Sequence, residues 1–263
     1  MICALDNKPN VRAEIQNLAD KIGADYNTAK IIYENNNGYS LDKAPNGAES
    51  KLYKDLLDHY KGDENKALIA KAKTYLQPFF NWFGNWTDPD TTDVSKVVDE
   101  NGEPLVVYHG DDYDSFEEGD RSKAAMPYVT YFANRKYQAD YNKYYAVFLN
   151  IKNPLFEHVD FTEDAIQDYE FFDKNVLQKG FDGAVGLNDE TKSHNFYSKN
   201  AREFVTILPN QTKSIDNKGT YSNTDDNIYH NINIDDAFSR LRNAIINSNL
   251  SNEVRQRYIK TFN

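Results

Sequence analysis

The pattern of apolar residues changes near residue 90, and this change constrains the fold more than any other feature of the sequence. Before it, apolar residues recur every three to four positions, as on one face of a helix. After Val97 they gather in short runs separated by turns, which is typical of β-strands. Long helices do not alternate regularly with these runs. The pattern therefore favours an α+β fold over a doubly wound parallel sheet.

Four helices are predicted in the first part of the chain. They cover residues 9–22, residues 27–34, the segment that follows Ser50, and residues 64–80. Asp63 is a suitable N-cap for the last of them, and Pro78 is expected to end or kink it because proline has no N–H to donate. An Asn-, Gly- and Pro-rich stretch before Ser50 is predicted to be a loop.

Strands and further helices are predicted in the second part of the chain. The strands cover residues 105–108, 128–132, 145–151, 181–187 and 203–208, with helices at 136–143 and 162–178 and two short helices after residue 234. The predicted organisation is a helical N-terminal subdomain (1–80), an aromatic linker (81–96), an α+β domain (97–230) and a helical C-terminal tail (231–263). The linker holds both tryptophans, Trp82 and Trp86, which we expect to plug the junction between the two parts.

Composition excludes several classes of protein. The 263 residues carry a formal net charge of −11, so broad binding to nucleic acid or to an anionic membrane is not expected. A single cysteine, Cys3, rules out an intramolecular disulfide framework and a cysteine-based zinc site. The sequence has no apolar run long enough to span a membrane and no signal peptide at its start. We therefore expect a soluble protein of a reducing compartment.

Common catalytic motifs are missing from the sequence. There is no P-loop and no G-x-S-x-G elbow, and the five histidines form no H-x-x-x-H or H-E-x-x-H pair. The run GFDGAVG does not have the spacing of a dinucleotide-binding fingerprint. No metal site is predicted.

A small set of side chains at predicted strand ends remains. His109 ends one strand, Tyr131 lies at the end of a second, and Glu203 starts a third, while Tyr137 and Tyr141 follow on a helix-like stretch. Each of these residues alone is more simply explained by packing or by solvent exposure. Their common position at strand ends makes one shared cleft the functional alternative.

Two separated motifs resemble ADP-ribosyltransferase domains of phage-type polyvalent proteins, and a third, between them, resembles poly(ADP-ribose) polymerases. NWFGNW followed by SKVVDENGEPLVVYHG is similar to the start of those domains, and REFVTILPNQTKSIDNKGTYSNTDDNIY is similar to their closing segment. YFANRKYQADY resembles a segment of poly(ADP-ribose) polymerases. The similarity spans roughly residues 80–230. It implies an ADP-ribosyltransferase-like core with a split antiparallel sheet.

The resemblance implies a His-Tyr-Glu transferase that uses NAD+ as co-substrate, without a metal. His109 would hold ribose hydroxyls, and the backbone of Gly110 would read the carboxamide of nicotinamide. Tyr131 and Tyr141 would sandwich the nicotinamide ring, with Tyr137 as the substitute for Tyr141. Electron-rich tyrosine faces suit this cationic ring, since cation–π contacts contribute about 0.5–2 kcal/mol.

The same resemblance assigns Glu203 as the catalytic carboxylate. The nicotinamide–ribose bond breaks through an oxocarbenium-like transition state, as in glycoside hydrolysis. A carboxylate that accepts a hydrogen bond from the neighbouring 2′-hydroxyl stabilises the positive charge as it develops. Residue 201 is alanine, so the paired carboxylates of arginine-directed transferases are missing, which argues against arginine as the acceptor.

Two further departures from the family pattern concern the pocket. Asp111 and Asp112 stand where a small hydroxyl residue is usual, and their charge would oppose the NAD+ phosphates. Ala133 replaces a common threonine. If NAD+ binds, basic residues are expected to offset the aspartates, with three candidates: Arg121, Lys123 and Arg135.

The sequence thus favours a mono-ADP-ribosyltransferase with a macromolecular acceptor, protein rather than nucleic acid, in a bacterial cytoplasm. An NAD+ glycohydrolase, with water as acceptor, is a close variant. A catalytically degenerate binding module is the second class of function, and a nuclease is a weaker third because the surroundings of His109 are acidic. The N-terminal helices are expected to pack beside the catalytic domain, with acceptor recognition as the alternative.

Overall fold

Helices cover the first part of the chain and strands the second, as the apolar pattern predicts. A computed structural model describes residues 10–111, 129–134, 143–157, 172–186, 203–222 and 227–229. Several predicted features lie outside these residues, wholly or in large part: the helices at 136–143 and 162–178, the C-terminal helices, Tyr137, Tyr141, Asp112, Arg121, Lys123 and Arg135.

Five helices form within residues 10–111. They are α1 (Val11–Ile22), α2 (Tyr26–Asn35), α3 (Lys51–His59), α4 (Glu64–Lys73) and α5 (Gln77–Phe83). The side chains of Asp25, Ser50 and Asp63 accept hydrogen bonds from backbone N–H groups in the first turns of α2, α3 and α4. The predicted N-cap at Asp63 is therefore confirmed, and Ser50 caps α3 in the same way.

The predicted helix 64–80 is two helices. α4 ends at Lys73, and Pro78 lies in the first turn of α5, where its missing N–H is not needed. Pro78 ends the first helix as expected. Phe79 consequently belongs to α5, where Phe79, Trp82 and Phe83 are fully buried.

Within the described residues, seven strands form one mixed sheet. They are β1 (Val107–Asp111), β2 (Thr130–Ala133), β3 (Lys143–Leu149), β4 (Pro154–Glu157), β5 (Gly183–Gly186), β6 (Glu203–Thr206) and β7 (Thr212–Ser214). Their order across the sheet is β4-β5-β6-β2-β1-β3-β7. All neighbours pair antiparallel except β4 and β5, which are parallel. The sheet departs in that one pair from the antiparallel core expected. Before β5, a π-helix covers Asp173–Leu177.

The sheet is divided between β1 and β2. Their register consists of the single pair Tyr108↔Ala133, whereas β1 and β3 share five pairs and β2 and β6 share four. The junction, which we call the split, separates a half made of β4, β5, β6 and β2 from a half made of β1, β3 and β7. An α+β fold with a split sheet is thus confirmed.

Apolar side chains pack on both faces of the sheet. One cluster joins helices α3, α4 and α5 to the sheet and is built from Leu52, Leu56, Ala67, Ala70, Phe79, Trp82, Phe83, Val106, Ala146, Phe148, Ile215 and Tyr221. The opposite face is covered by a second cluster that includes Val107, Phe132, Val147 and Phe204. The helices therefore share a core with the sheet, while the proposed domain boundaries stay a prediction. None of the helices within the described residues is long and apolar enough to cross a membrane.

Candidate active site

The three residues of the predicted triad lie on three adjacent strands. His109 and Gly110 are on β1, Tyr131 is on β2, and Glu203 is the first residue of β6. In the register, Glu203 pairs with Ala133, and Ala133 pairs with Tyr108. Because strands are spaced by about 4.8 Å, the Cα atoms of Glu203 and Tyr108 are about 10 Å apart. The sheet order therefore places the three residues on neighbouring strands. Only Glu203 is at a strand end as predicted, because His109 is the middle residue of β1 and Tyr131 the second residue of β2.

His109 is tied to β2 across the split. Its Nδ1 lies 2.8 Å from the carbonyl oxygen of Tyr131. A carbonyl oxygen can only accept a hydrogen bond, so Nδ1 carries the proton and donates it. In the neutral ring Nε2 then has the lone pair and can accept a hydrogen bond from a hydroxyl group. One contact thus fixes both the tautomer and the place of this imidazole.

Tyr131 and Glu203 lie on one face of the sheet. Residues two apart on a strand share a face, and so do directly paired residues on neighbouring strands. Ala133 pairs with Glu203 and is two residues after Tyr131, which places Tyr131 and Glu203 on the same side. His109 follows Tyr108, which is on this side too, so it starts from the opposite face. Both Tyr131 and Glu203 are partly exposed.

Aromatic side chains surround the triad positions. The ring of His109 is 5.5 Å from that of Phe132, centroid to centroid, and its partner in the register is the buried Tyr145. The ring of Tyr131 meets that of Phe172 edge-on at 6.2 Å. These supporting residues are not apparent from the sequence. Their only signal was the apolar pattern of the elements that hold them.

The register gives Asp111 a basic partner on the neighbouring strand. Lys143 on β3 pairs directly with Asp111 on β1. The Lys143 ammonium also lies 4.9 Å from the centroid of the Tyr145 ring. The basic residues expected to offset the aspartates, Arg121, Lys123 and Arg135, are outside the described residues.

Tyr108 is the titratable neighbour of the site on β1. Burial, with Asp55 and Asp58 adding to it, raises the pKa of Tyr108 to about 12. The phenol therefore keeps its proton at neutral pH and is not a candidate base.

A separate groove of about 280 Å³ contains none of the strand residues. Asn46, Trp86 and Asn101 are among the residues that line it. Their polar atoms bond within the protein: Asn46 Nδ2 donates to Asn101 Oδ1 at 3.2 Å, and Trp86 Nε1 donates to the Thr74 carbonyl at 2.9 Å. The groove is accordingly a weaker candidate than the split. Among the described residues, no three His, Cys, Asp or Glu side chains come together as metal ligands would.

Comparison with known proteins identifies the part of the chain that contains the split. Residues 99–221 match the family model of ADP-ribosyltransferases in polyvalent proteins. The comparisons with curated proteins and with solved structures found no match. The matched range begins at Asp99, ends at Tyr221, and includes all seven strands. Residues 99–221 are thus similar to the ADP-ribosyltransferase domains found in polyvalent proteins.

Proposed function

We propose that the protein is a mono-ADP-ribosyltransferase that cleaves the nicotinamide–ribose bond of NAD+ and transfers ADP-ribose to a macromolecular acceptor. The observation that supports the proposal is that His109, Tyr131 and Glu203 lie on three adjacent strands, β1, β2 and β6, with His109 Nδ1 bonded to the Tyr131 carbonyl, within the range that matches this family's model. NAD+ is the co-substrate, and no metal is required for the chemistry.

His109 is proposed to bind ribose hydroxyls of NAD+. Its donated Nδ1 proton, held by the Tyr131 carbonyl, supports this role because it leaves Nε2 as an acceptor. The neighbouring backbone of Gly110 is proposed to bind the carboxamide of nicotinamide. Gly110 is partly exposed on β1, two residues after Tyr108, whose pair with Ala133 joins β1 to β2.

Tyr131 is proposed to stack on the nicotinamide ring. Its own ring is braced by Phe172 and partly exposed, which leaves surface for a ligand and limits the side-chain entropy lost on binding. Tyr141, or Tyr137 in its place, is proposed to cover the other side of the ring.

Glu203 is proposed as the catalytic carboxylate. The C–N bond between ribose C1′ and nicotinamide breaks, and nicotinamide leaves with the electron pair as a neutral molecule. The carboxylate accepts a hydrogen bond from the 2′-hydroxyl, which stabilises the positive charge on the ribose. The acceptor nucleophile then bonds to C1′ and loses its proton. Glu203 is partly exposed and on the same face as Tyr131, as this role requires.

The acceptor is proposed to be a protein side chain other than arginine. This rests on Ala201, which leaves Glu203 without a second carboxylate two positions earlier. The phage-type resemblance supports a bacterial cytoplasm as the place of action, either as a phage-encoded protein or as a delivered toxin or effector.

Two alternatives give different products. An NAD+ glycohydrolase would release free ADP-ribose and label no macromolecule. A degenerate binding module would not consume NAD+, and Asp111 favours it by placing a negative charge where the NAD+ phosphates approach. Lys143, the register partner of Asp111 on β3, puts a positively charged residue at the same level of the sheet and weakens that argument.

The experiment is an incubation with labelled NAD+ and bacterial lysate, comparing the wild type with Glu203→Gln. We expect the wild type to release nicotinamide and label a protein band. Glu203→Gln should lose about 10²–10³-fold in rate, as for the removal of one group that stabilises transition-state charge. NAD+ binding by calorimetry should change little.

Glu100→Gln is the matched control, because Glu100 is an exposed carboxylate within the same domain. It should keep the wild-type rate. Equal rates for Glu203→Gln and the wild type would disprove the catalytic role of Glu203, and a wild type that neither binds nor consumes NAD+ would disprove the proposed function.

A further inference from the structure

Lys71 is a fully buried lysine in helix α4, a rare place for a charged side chain. Its Nζ lies 2.7 Å from Glu103 Oε1, and both side chains have no exposed surface. The same Nζ donates to Ser50 Oγ at 2.6 Å and to the Lys43 carbonyl at 2.9 Å. The ammonium is thus surrounded by acceptors from three separate segments of the chain. Burial lowers the pKa of Lys71, and Glu103 opposes that effect.

Glu103 belongs to a tight turn that leads into β1. The backbone N–H of Asp99 donates to the Glu103 carbonyl at 2.9 Å, and the Glu103 N–H donates to Asp99 Oδ1 at 3.0 Å. Val98 and Pro104 then form an isolated antiparallel bridge. The backbone of this turn is therefore fixed by its own bonds, and moving Glu103 moves the whole turn.

Few residues separate the turn from the active site. Pro104 and the next three residues are buried, and β1 starts at Val107, two residues before His109. Val106 packs in the cluster that includes Ala67 and Ala70 of α4, the helix that carries Lys71. The chain from Glu103 to His109 is consequently extended and packed, so a shift at one end is transmitted to the other.

We propose that Lys71, through its ion pair with Glu103, is a positioning residue for His109 that holds β1 at the distance from β2 at which the Nδ1–Tyr131 bond forms. The catalytic meaning of this inference rests on the proposed function, while the geometric part does not. Apolar packing alone holds the helices against the sheet but does not fix how far they are shifted along it. The buried ion pair adds a specific contact between α4 and the turn at Glu103, and this contact fixes the position of the turn in the direction of β1.

The experiment reads the tautomer of His109 by ¹H–¹⁵N correlation spectra of histidine-labelled protein, with His109→Gln used for assignment. The wild type should show the proton on Nδ1. Lys71→Met leaves the buried carboxylate of Glu103 without a counter-charge, so its Tm should fall by about 10 °C. Below that Tm, the Nδ1–H signal of His109 should shift toward that of an exposed histidine, and the KM for NAD+ should rise about tenfold with a smaller change in kcat.

The variant Lys71→Met/Glu103→Met separates positioning from stability. Replacing both charges by apolar side chains restores most of the Tm, since a buried pair can be exchanged for hydrophobic residues with little loss. The His109 signal and the raised KM should persist, because the directional contact is still missing. Lys66→Met on the exposed side of α4 is the control and should change neither readout.

A double variant with wild-type His109 signal and wild-type KM would overturn the inference, as would Lys71→Met with both readouts unchanged. If the wild type fails to consume NAD+, the proposed function fails instead. The His109 tautomer still decides the positioning inference in that case, because its measurement needs no NAD+.

Discussion

At the scale of single residues, the carboxyl group of Asp99 is in an unusual position. Its Oδ1 accepts hydrogen bonds from the backbone N–H groups of Asn101 and Glu103, while its Oδ2 is buried with no hydrogen-bond partner among the described residues. Burial raises the pKa of Asp99 to about 6. The two backbone hydrogen bonds lower the pKa, and the negative charges of Glu103 and Glu100 raise it further. The folded protein therefore holds this proton more tightly than the unfolded chain does.

The raised pKa of Asp99 gives stability a definite pH dependence. Between the unfolded value of 3.8 and the folded value of about 6, the free energy of unfolding should decrease as the pH rises, because the folded state must give up a proton that it binds well. Asp99→Asn should raise the free energy of unfolding by about 1–2 kcal/mol at pH 7, after discounting for partial exposure, and leave it unchanged near pH 4. Urea unfolding at both pH values measures this.

The exposed Asp90→Asn is the control for that measurement and should show no such difference between the two pH values. An equal gain for Asp99→Asn at pH 4 and pH 7 would mean that the carboxyl is not titrating between them.

The sequence predicted His109, Tyr131 and Glu203 at strand ends. The structure puts their strands side by side, but only Glu203 is at an end, because β1 continues past His109 to Asp111 and β2 past Tyr131 to Ala133. The sequence could not locate Lys71. A lysine within an apolar helix face carries no sign of its partner, and Glu103 is 32 residues later, in a turn that sequence periodicity does not describe. Lys143 was missed for the same reason, since its pairing with Asp111 depends on strand register.

At the scale of elements, helix α5 ends at a glycine that no other residue can replace easily. Gly84 has φ 99°, and an added Cβ would lie 2.3 Å from the Asp93 carbonyl oxygen and 2.5 Å from Val94 Cα. Gly62 also has a positive φ, 86°, but a Cβ there meets nothing within 4 Å. The two glycines therefore differ in available space while sharing a left-handed type of backbone.

Gly84→Ala should be far more destabilising than Gly62→Ala. We expect Gly62→Ala to cost about 1–2 kcal/mol through its backbone conformation alone. Gly84→Ala adds a collision with the backbone and should cost about 4 kcal/mol or more. Thermal unfolding followed by circular dichroism compares the two. Equal losses of Tm would show that the chain between α5 and β1 yields easily to the added methyl group.

Elements with local signals were predicted, and those that depend on partners were not. The caps at Ser50 and Asp63 and the break at Pro78 are visible in a few adjacent residues. Strands β4 and β7 escaped prediction because they have four and three residues and form only beside β5 and β3. Short strands take their stability from the neighbour, which the local sequence does not reveal.

At the scale of the whole molecule, the range that matches the family model is shorter than the range that packs into one core. The match begins at Asp99, whereas the cluster under the sheet includes residues from Leu52 to Phe83. Without helices α3, α4 and α5, one face of the sheet would expose side chains such as Phe148 and Ile215. We therefore expect the helices to be needed for the matched range, residues 99–221, to fold.

A fragment of residues 84–263 should not fold by itself. It should melt without a cooperative transition and show poorly dispersed amide signals in an ¹⁵N spectrum. Within the full chain, Leu56→Ala opens the same cluster and should cost about 2–5 kcal/mol, whereas Ile69→Ala, at a side chain that is 37% exposed, should cost much less. A fragment with a sharp thermal transition would show that the sheet folds independently.

The order of the strands in the sheet has a consequence for folding during translation. β2 pairs with β6, about seventy positions later in the chain, so the sheet closes through contacts that form slowly. Helices α1 to α5 have mostly local contacts and leave the exit tunnel first. The apolar face built around Leu52 and Trp82 then stays exposed to solvent until the last strands are synthesised. During translation the nascent helices are the part of this protein that most needs a chaperone.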